Sequence, residues 1–127
     1  MLPLTLEWMS KAEGDWASAQ RELRARRAPN YDSACFHAQQ CAEKYLKARL
    51  QQEGIAFTRT HDLVVLLDLL LPIEPSWVQL RPRLRALTVA AVDYRYPGAS
   101  ATKATAREAV VACRDLRAVV RTSLGLP

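Results

Sequence analysis

Glycine is scarce in this 127-residue chain, with four in total and none in a phosphate-cradling loop, so neither a P-loop nor a dinucleotide-binding fingerprint is present. Histidine is scarcer: any metal site or imidazole base has only His37 and His61 to draw on. No HExxH, paired-carboxylate cluster or thiol ligand set stands near either one, so no metal and no cofactor are expected. The three cysteines, Cys35, Cys41 and Cys113, contain no CxxC. Cys35 and Cys41 fall six apart on one predicted helix, where their side chains diverge, and all three read as buried reduced thiols of a cytoplasmic protein. Long hydrophobic runs are also missing. The longest, Leu63 to Leu71, has nine residues with Asp68 inside it and cannot span a bilayer. The segment MLPLTLEWM has no basic stretch and no long apolar stretch, so no signal peptide is expected. Internal repeats, low-complexity tracts and strand-like alternation are absent.

What is present is ordinary globular composition, 50% hydrophobic and 24% charged, in a length that fits one domain, residues 1–127. The formal net charge is +5, carried by 14 Arg and 4 Lys. Guanidinium groups match phosphate geometry, so a polyanionic partner and a solvated basic surface are both compatible with this balance.

Apolar periodicity predicts an all-α chain. From Thr5 to Arg26, residues Met9, Ala12, Trp16, Ala19 and Leu23 keep one face inward; Trp8 is either a second core anchor or partly exposed. A long helix from Asn30 to Gly54, capped by Asn30 or Asp32, carries the line Ala34, Ala38, Cys41, Tyr45, Ala48. Cys35, Ala42 and Leu46 widen that line to an arc of about 160°, enough for two neighbours, which makes this helix the expected centre. Phe36 projects to the other side among Gln40, Glu43 and Lys47, as incidental exposure or as part of a partner surface. Thr60 or Asp62 caps a short helix with Leu63, Leu66, Leu67 and Leu70 inward. A fourth helix follows Ser76 and Gln79, a capping-box pair, with Trp77, Leu80, Leu84, Leu87, Ala91 and Tyr94 in line. Pro82 predicts either a kink near Arg81 or a short first turn before the main helix. The last helix starts at Thr102 or at Thr105, which would pair with Glu108, and turns Ala106, Ala109, Cys113, Leu116 and Val120 inward. The product is an antiparallel up-and-down bundle of four long helices plus one short helix.

On the last helix, Lys103, Arg107, Arg114, Arg117 and Arg121 fall within about 80° of one another and form a basic stripe. Arg81, Arg85 and Arg95 make a similar row on the fourth. If both rows face one groove, phosphate binding follows; neutralisation by Glu108, Asp115 or acids on neighbouring helices is the alternative. His61, between two capping residues, reads first as a loop-ordering group.

Trp8 with Ala12 and Asp15, then CFHAQQCAEKYLKARLQQEG, RTHDLVVLL and YRYP, in this order and spacing, resemble the HEPN domain family over nearly the whole chain. The resemblance implies a helical bundle and, for small stand-alone members, pairing with a minimal nucleotidyltransferase in toxin–antitoxin-like or nucleotide-transfer systems. Many members are metal-independent ribonucleases carrying Arg, four to six residues, then His. This chain departs from that pattern: the windows before His37 (Asn30, Tyr31, Asp32) and His61 (Gly54, Ile55, Ala56) hold no Arg. No catalytic residue is therefore assigned. The implied function is a nucleotide- or RNA-binding module in which Arg59, His61, Arg95 and Tyr96 contact the ligand, with Lys44 and Lys47 as electrostatic support. The RTHD segment could instead only cap its helix, and Arg95 only anchor its loop to a carboxylate. A partner subunit without a ligand is the first alternative and an unconventional ribonuclease the second. A homodimer or higher oligomer is expected from Phe36 and the broad arc of the second helix.

Overall fold

The computed structural model describes residues 1–127. Five α-helices follow one another: α1 (Pro3–Arg24), α2 (Tyr31–Gln52), α3 (Leu63–Leu70), α4 (Arg81–Asp93) and α5 (Lys103–Ser123), with a 3₁₀ segment at Pro75–Leu80 before α4. There is no strand. Four long helices and one short one form the expected bundle.

Local chemistry sets the boundaries. Pro3 opens α1 in its first turn, where a missing N–H costs nothing. Asn30 caps α2 by accepting from the Ser33 N–H, and Asp62 caps α3 by accepting from the Val64 N–H. Gly54, at φ 67°, ends α2 in the left-handed region that a β-carbon disfavours. Ala28 holds φ 45° in the α1–α2 turn without that exemption. Pro82 falls in the first turn of α4 and produces no kink, because the 3₁₀ segment ends just before it. Two expected capping boxes do not form. Glu74 and Pro75 start the 3₁₀ segment, so Ser76 caps nothing. At α5 the Thr102 hydroxyl takes the Thr105 N–H and fixes the helix start three residues earlier than a Thr105 cap would.

α2 is the centre, packed by α1, α3, α4 and α5. α1 and α2 share the largest interface and run antiparallel, with the Leu2 N–H tied to Gln52 Oε1 at the far end of α2. Ala34, Ala38, Cys41, Tyr45, Leu46, Ala48 and Leu50 are fully buried there. The small residues let α1 and α5 come close, and each buried leucine contributes roughly 2 kcal/mol of burial. All three cysteines are buried and unbridged. The Cys41 thiol is pushed far up, first by its hydrogen bond with Cys113 and then by burial, so it is inert.

The polar side of α2 differs from expectation. Gln39, Glu43, Lys47 and Arg49 are also buried, because α3 and the segment leading into it lie over that side. The broad apolar arc is likewise used up inside the chain, which removes one of the two grounds for expecting an oligomer.

Candidate functional site

Glu43 organises the covered side of α2. Its side chain is 4% exposed and accepts from Lys47 Nζ at 2.9 Å, His61 Nδ1 at 2.8 Å and Gln39 Nε2 at 3.1 Å. Burial pushes the Glu43 carboxyl up, but the bonds from Lys47, His61 and Gln39 together hold it below the usual carboxylate range. It is therefore ionised near neutral pH. Gln39 also donates to the His61 carbonyl at 2.8 Å, so one amide fixes both the carboxylate and the backbone of the RTHD segment. The segment is pinned further by Asp62, whose N–H reaches Thr60 Oγ1, and by the Leu63 N–H on Thr88 Oγ1 of α4.

His61 consequently has a defined orientation. Its Nδ1–H donates to Glu43, which leaves Nε2 as the free acceptor. Nε2 makes no hydrogen bond within the protein, and the side chain is 76% exposed. A ring held by a buried carboxylate and open at its other nitrogen can accept from a ligand hydroxyl or move a proton.

Phe36 lies two turns upstream on the same stripe of α2, about 10 Å from Glu43 along the axis. The Arg95 guanidinium sits 5.4 Å over the Phe36 ring and has no carboxylate within ion-pair distance, so the loop is not anchored through an acid. Phe36 is half-buried rather than a free aromatic, with His37 edge-on beside it. Tyr96 is 62% exposed, and Arg59 is exposed two residues before His61. His61 and Arg95 are thus brought onto one stripe of α2, with Arg59 and Tyr96 on the exposed loops that carry them.

Lys44 and Lys47 are committed elsewhere. Lys47 is buried, bound to Glu43 and set over the rings of Trp8 (5.5 Å) and Phe57 (5.9 Å). Lys44 binds Asp15 at 2.5 Å, and the same carboxylate accepts from His37 Nδ1 at 2.8 Å. Both lysines hold carboxylates in place instead of facing solvent.

The basic stripe divides. Arg117 makes two bonds to Glu13 (2.8 and 2.6 Å) and stacks on Trp16, while Arg121 bonds Tyr45 Oη and the Pro127 carbonyl. The Arg117 bond, opposed by burial, leaves the Glu13 carboxyl below its ordinary value. Burial and the bond to Glu13 push the Tyr45 hydroxyl up to about 12. Arg114 is paired with Asp115. Only Lys103 and Arg107 of the stripe lack an acidic partner. The row on α4 does not meet the stripe in a basic groove: Arg81 pairs with Asp68, and the α4–α5 groove is lined mainly by Ala86, Val89, Ala90, Ala109 and Val111.

Gln39 and Glu43 are the functional residues that sequence reasoning did not assign. Their signal was the row Gln39, Glu43, Lys47 at helical spacing on the side away from the apolar arc. No group of three or more His, Cys, Asp or Glu is placed to hold a metal ion. No helix is long and apolar enough to cross a membrane.

Residues 5–123 match the family model of the HEPN domain. Among solved structures the chain is similar to TT1696 from Thermus thermophilus, with 23% identity and a TM-score of 0.77 over 95% of this chain and 98% of that one. It is also similar to ST0689, an archaeal HEPN homologue, with 26% identity and a TM-score of 0.75 over 94% and 96% of the two chains. A comparison with curated proteins gives no match.

Proposed function

Because the chain belongs to the HEPN domain family, we propose that it is a nucleotide- or RNA-binding module whose ligand is met by His61 and Arg95, with Arg59 and Tyr96 beside them. One observation carries this reading: His61 is fixed through Nδ1 by the buried Glu43 carboxylate while Nε2 is left without a partner. Ordering an exposed ring on a buried charge costs stability unless the ring has a task, and accepting a ribose hydroxyl is a task it fits. Arg95 and Arg59 supply charge for phosphate, and Tyr96 an exposed face on which a base can stack. Titrating nucleotides and short single-stranded RNA while recording heat should give saturable, salt-sensitive binding that weakens in His61→Ala and Arg95→Ala. No response at millimolar nucleotide and micromolar RNA removes the reading.

The same geometry favours metal-independent RNA cleavage as a second reading. With Nδ1–H tied to Glu43, Nε2 can take the proton of a 2′-hydroxyl as its oxygen attacks the adjacent phosphorus. The leaving 5′-oxygen then takes a proton from the resulting imidazolium, giving a 2′,3′-cyclic phosphate and a 5′-hydroxyl. Cleavage in the presence of chelator that disappears in His61→Ala supports it; cleavage unchanged in that variant refutes the role of His61.

Partnership with a minimal nucleotidyltransferase, in a toxin–antitoxin-like or nucleotide-transfer system in the cytoplasm, rests on what the family resemblance implies. Co-purification of the two chains tests it. Homo-oligomerisation is supported by the small-residue groove between α4 and α5, with Val89 and Val92 exposed beside it, and by Phe36 as a partly exposed ring on α2. Sedimentation as a monomer at high concentration would remove it.

A further inference from the structure

The end of the bundle away from the α2–α3 turn carries a second concentration of charge. There the α1–α2 turn meets the start of α5 around a concavity of about 660 Å³ lined by Arg24, Arg26, Pro29, Tyr31, Lys103 and Arg107, with Leu23 and Ala25 completing it. All four cations are exposed, and none has a carboxylate within ion-pair distance. No acidic residue lines the concavity. The acid on the first turn of α2, Asp32, is bound to the Ala101 N–H at 2.6 Å. This contrasts with the remainder of α5, where Arg114, Arg117 and Arg121 are each paired with an acid. Ala28 keeps a left-handed backbone conformation in the turn that sets Arg24 and Arg26 beside Lys103 and Arg107, a strained position of the kind that accumulates at binding sites.

Four like charges around one depression repel each other, and nothing within the chain offsets them. We infer that this concavity is a binding site for closely spaced phosphate groups, either the phosphate chain of a nucleotide or successive phosphodiesters of single-stranded RNA. Arginine forks bind phosphate oxygens in bidentate fashion, and Lys103, as the first residue of α5, adds an ammonium group at the positive end of the helix dipole. The half-buried Tyr31 ring offers a face to a base or ribose. Tyr31 and Glu43 lie twelve residues apart on α2, about 18 Å along its axis, so the concavity and the His61 site are separate.

This inference extends the nucleic-acid reading above to a second site, and its test uses a ligand the His61 site has no base or ribose to recognise. Inorganic tripolyphosphate is titrated by calorimetry into the unaltered protein, Arg24→Ala/Arg26→Ala, Lys103→Ala/Arg107→Ala, His61→Ala, and the control Lys11→Ala/Arg85→Ala. The control removes two exposed cations outside both sites. Saturable binding that falls roughly tenfold or more in each of the first two variants, and holds in the last two, is expected. Absence of binding at millimolar tripolyphosphate, or an equal loss in the control, overturns the inference. Parallel titrations of ATP and of a short single-stranded RNA identify the source: a loss confined to ATP assigns the concavity to a nucleotide, and a loss confined to RNA assigns it to the backbone. In the RNA arm, four lost phosphate contacts reduce the slope of log K against log salt by about 2.8. RNA binding that needs His61 but ignores all four cations removes the concavity alone. Tripolyphosphate binding that needs the cations beside RNA binding that ignores His61 removes the His61 reading alone. Circular dichroism spectra identical across the variants establish that the losses are local.

Discussion

Glu13 and Glu43 each collect donors from several elements, on opposite sides of α2. Glu13 of α1 accepts from Tyr45 Oη at 2.6 Å and from Arg117 of α5 at 2.8 and 2.6 Å, with Arg121 nearby at 3.8 Å. Glu43 accepts from Gln39, Lys47 and His61. The first cluster is closed: Arg117 lies on Trp16, and Arg121 is divided between Tyr45 and the chain terminus. The second is open, because its last donor carries a second nitrogen with no partner. The same chemistry thus makes a clasp across three helices in one place and a presented imidazole in the other. What differs is whether the outermost group has anything left to bind.

The largest way to disturb this comparison is Glu43→Ala. It strands the Lys47 ammonium, 8% exposed, beside two aromatic rings, and should cost about 3–5 kcal/mol in urea denaturation. A loss below about 1 kcal/mol would mean that Lys47 escapes to solvent and that the cluster is not a buried unit. Glu13→Ala should cost less, about 1–2 kcal/mol, since its side chain is 37% exposed and Arg117 can turn to water.

Acid probes both clusters at once with a smaller effect, because a protonated carboxyl still accepts hydrogen bonds. Both carboxyls are held below their ordinary values in the folded chain. Their contribution is therefore fully present above about pH 4.5 and is lost as pH falls through the depressed folded values. Chemical denaturation at a series of pH values should show stability falling below that point, with a shallower fall in Glu13→Gln. An unchanged profile in Glu13→Gln would separate that clasp from the acid response. The smallest expected effect on stability is that of His61→Ala, less than about 1 kcal/mol, because the ring is exposed and Glu43 keeps two donors. A melting temperature that collapses in His61→Ala would make the ring structural and would erase the distinction between the two clusters.

The helices were legible from apolar spacing because α1, α4 and α5 each bury one face. α2 was only half legible. Ala34, Ala38, Cys41 and Tyr45 announced its arc, but Glu43, Lys47 and Arg49 looked solvent-facing, since periodicity places charge outside. They are inside because each meets a partner from elsewhere in the chain: His61 for Glu43, the Trp8 and Phe57 rings for Lys47, Glu74 and Trp77 for Arg49. Such long-range pairing leaves no periodic trace. His61 and Arg95 were legible as candidates through the family resemblance, whereas Glu43 as the holder of His61 was not. On α5 an even row of charges concealed two environments, one neutralised by Glu13 and Asp115 and one left open at Lys103 and Arg107.

That His61 meets the ligand through Nε2 is the central claim, and the chain carries its own control for it. There are only two histidines, and each has Nδ1 on a carboxylate, so His37 on Asp15 is the internal reference. Nitrogen NMR of the histidine rings during titration with a short single-stranded RNA, and separately with ATP, compares them in one sample. Nε2 of His61 is predicted to shift saturably with at least one of the two ligands while both nitrogens of His37 stay in place. A His61 ring that does not move at saturating ligand, or a response confined to His37, would contradict the claim.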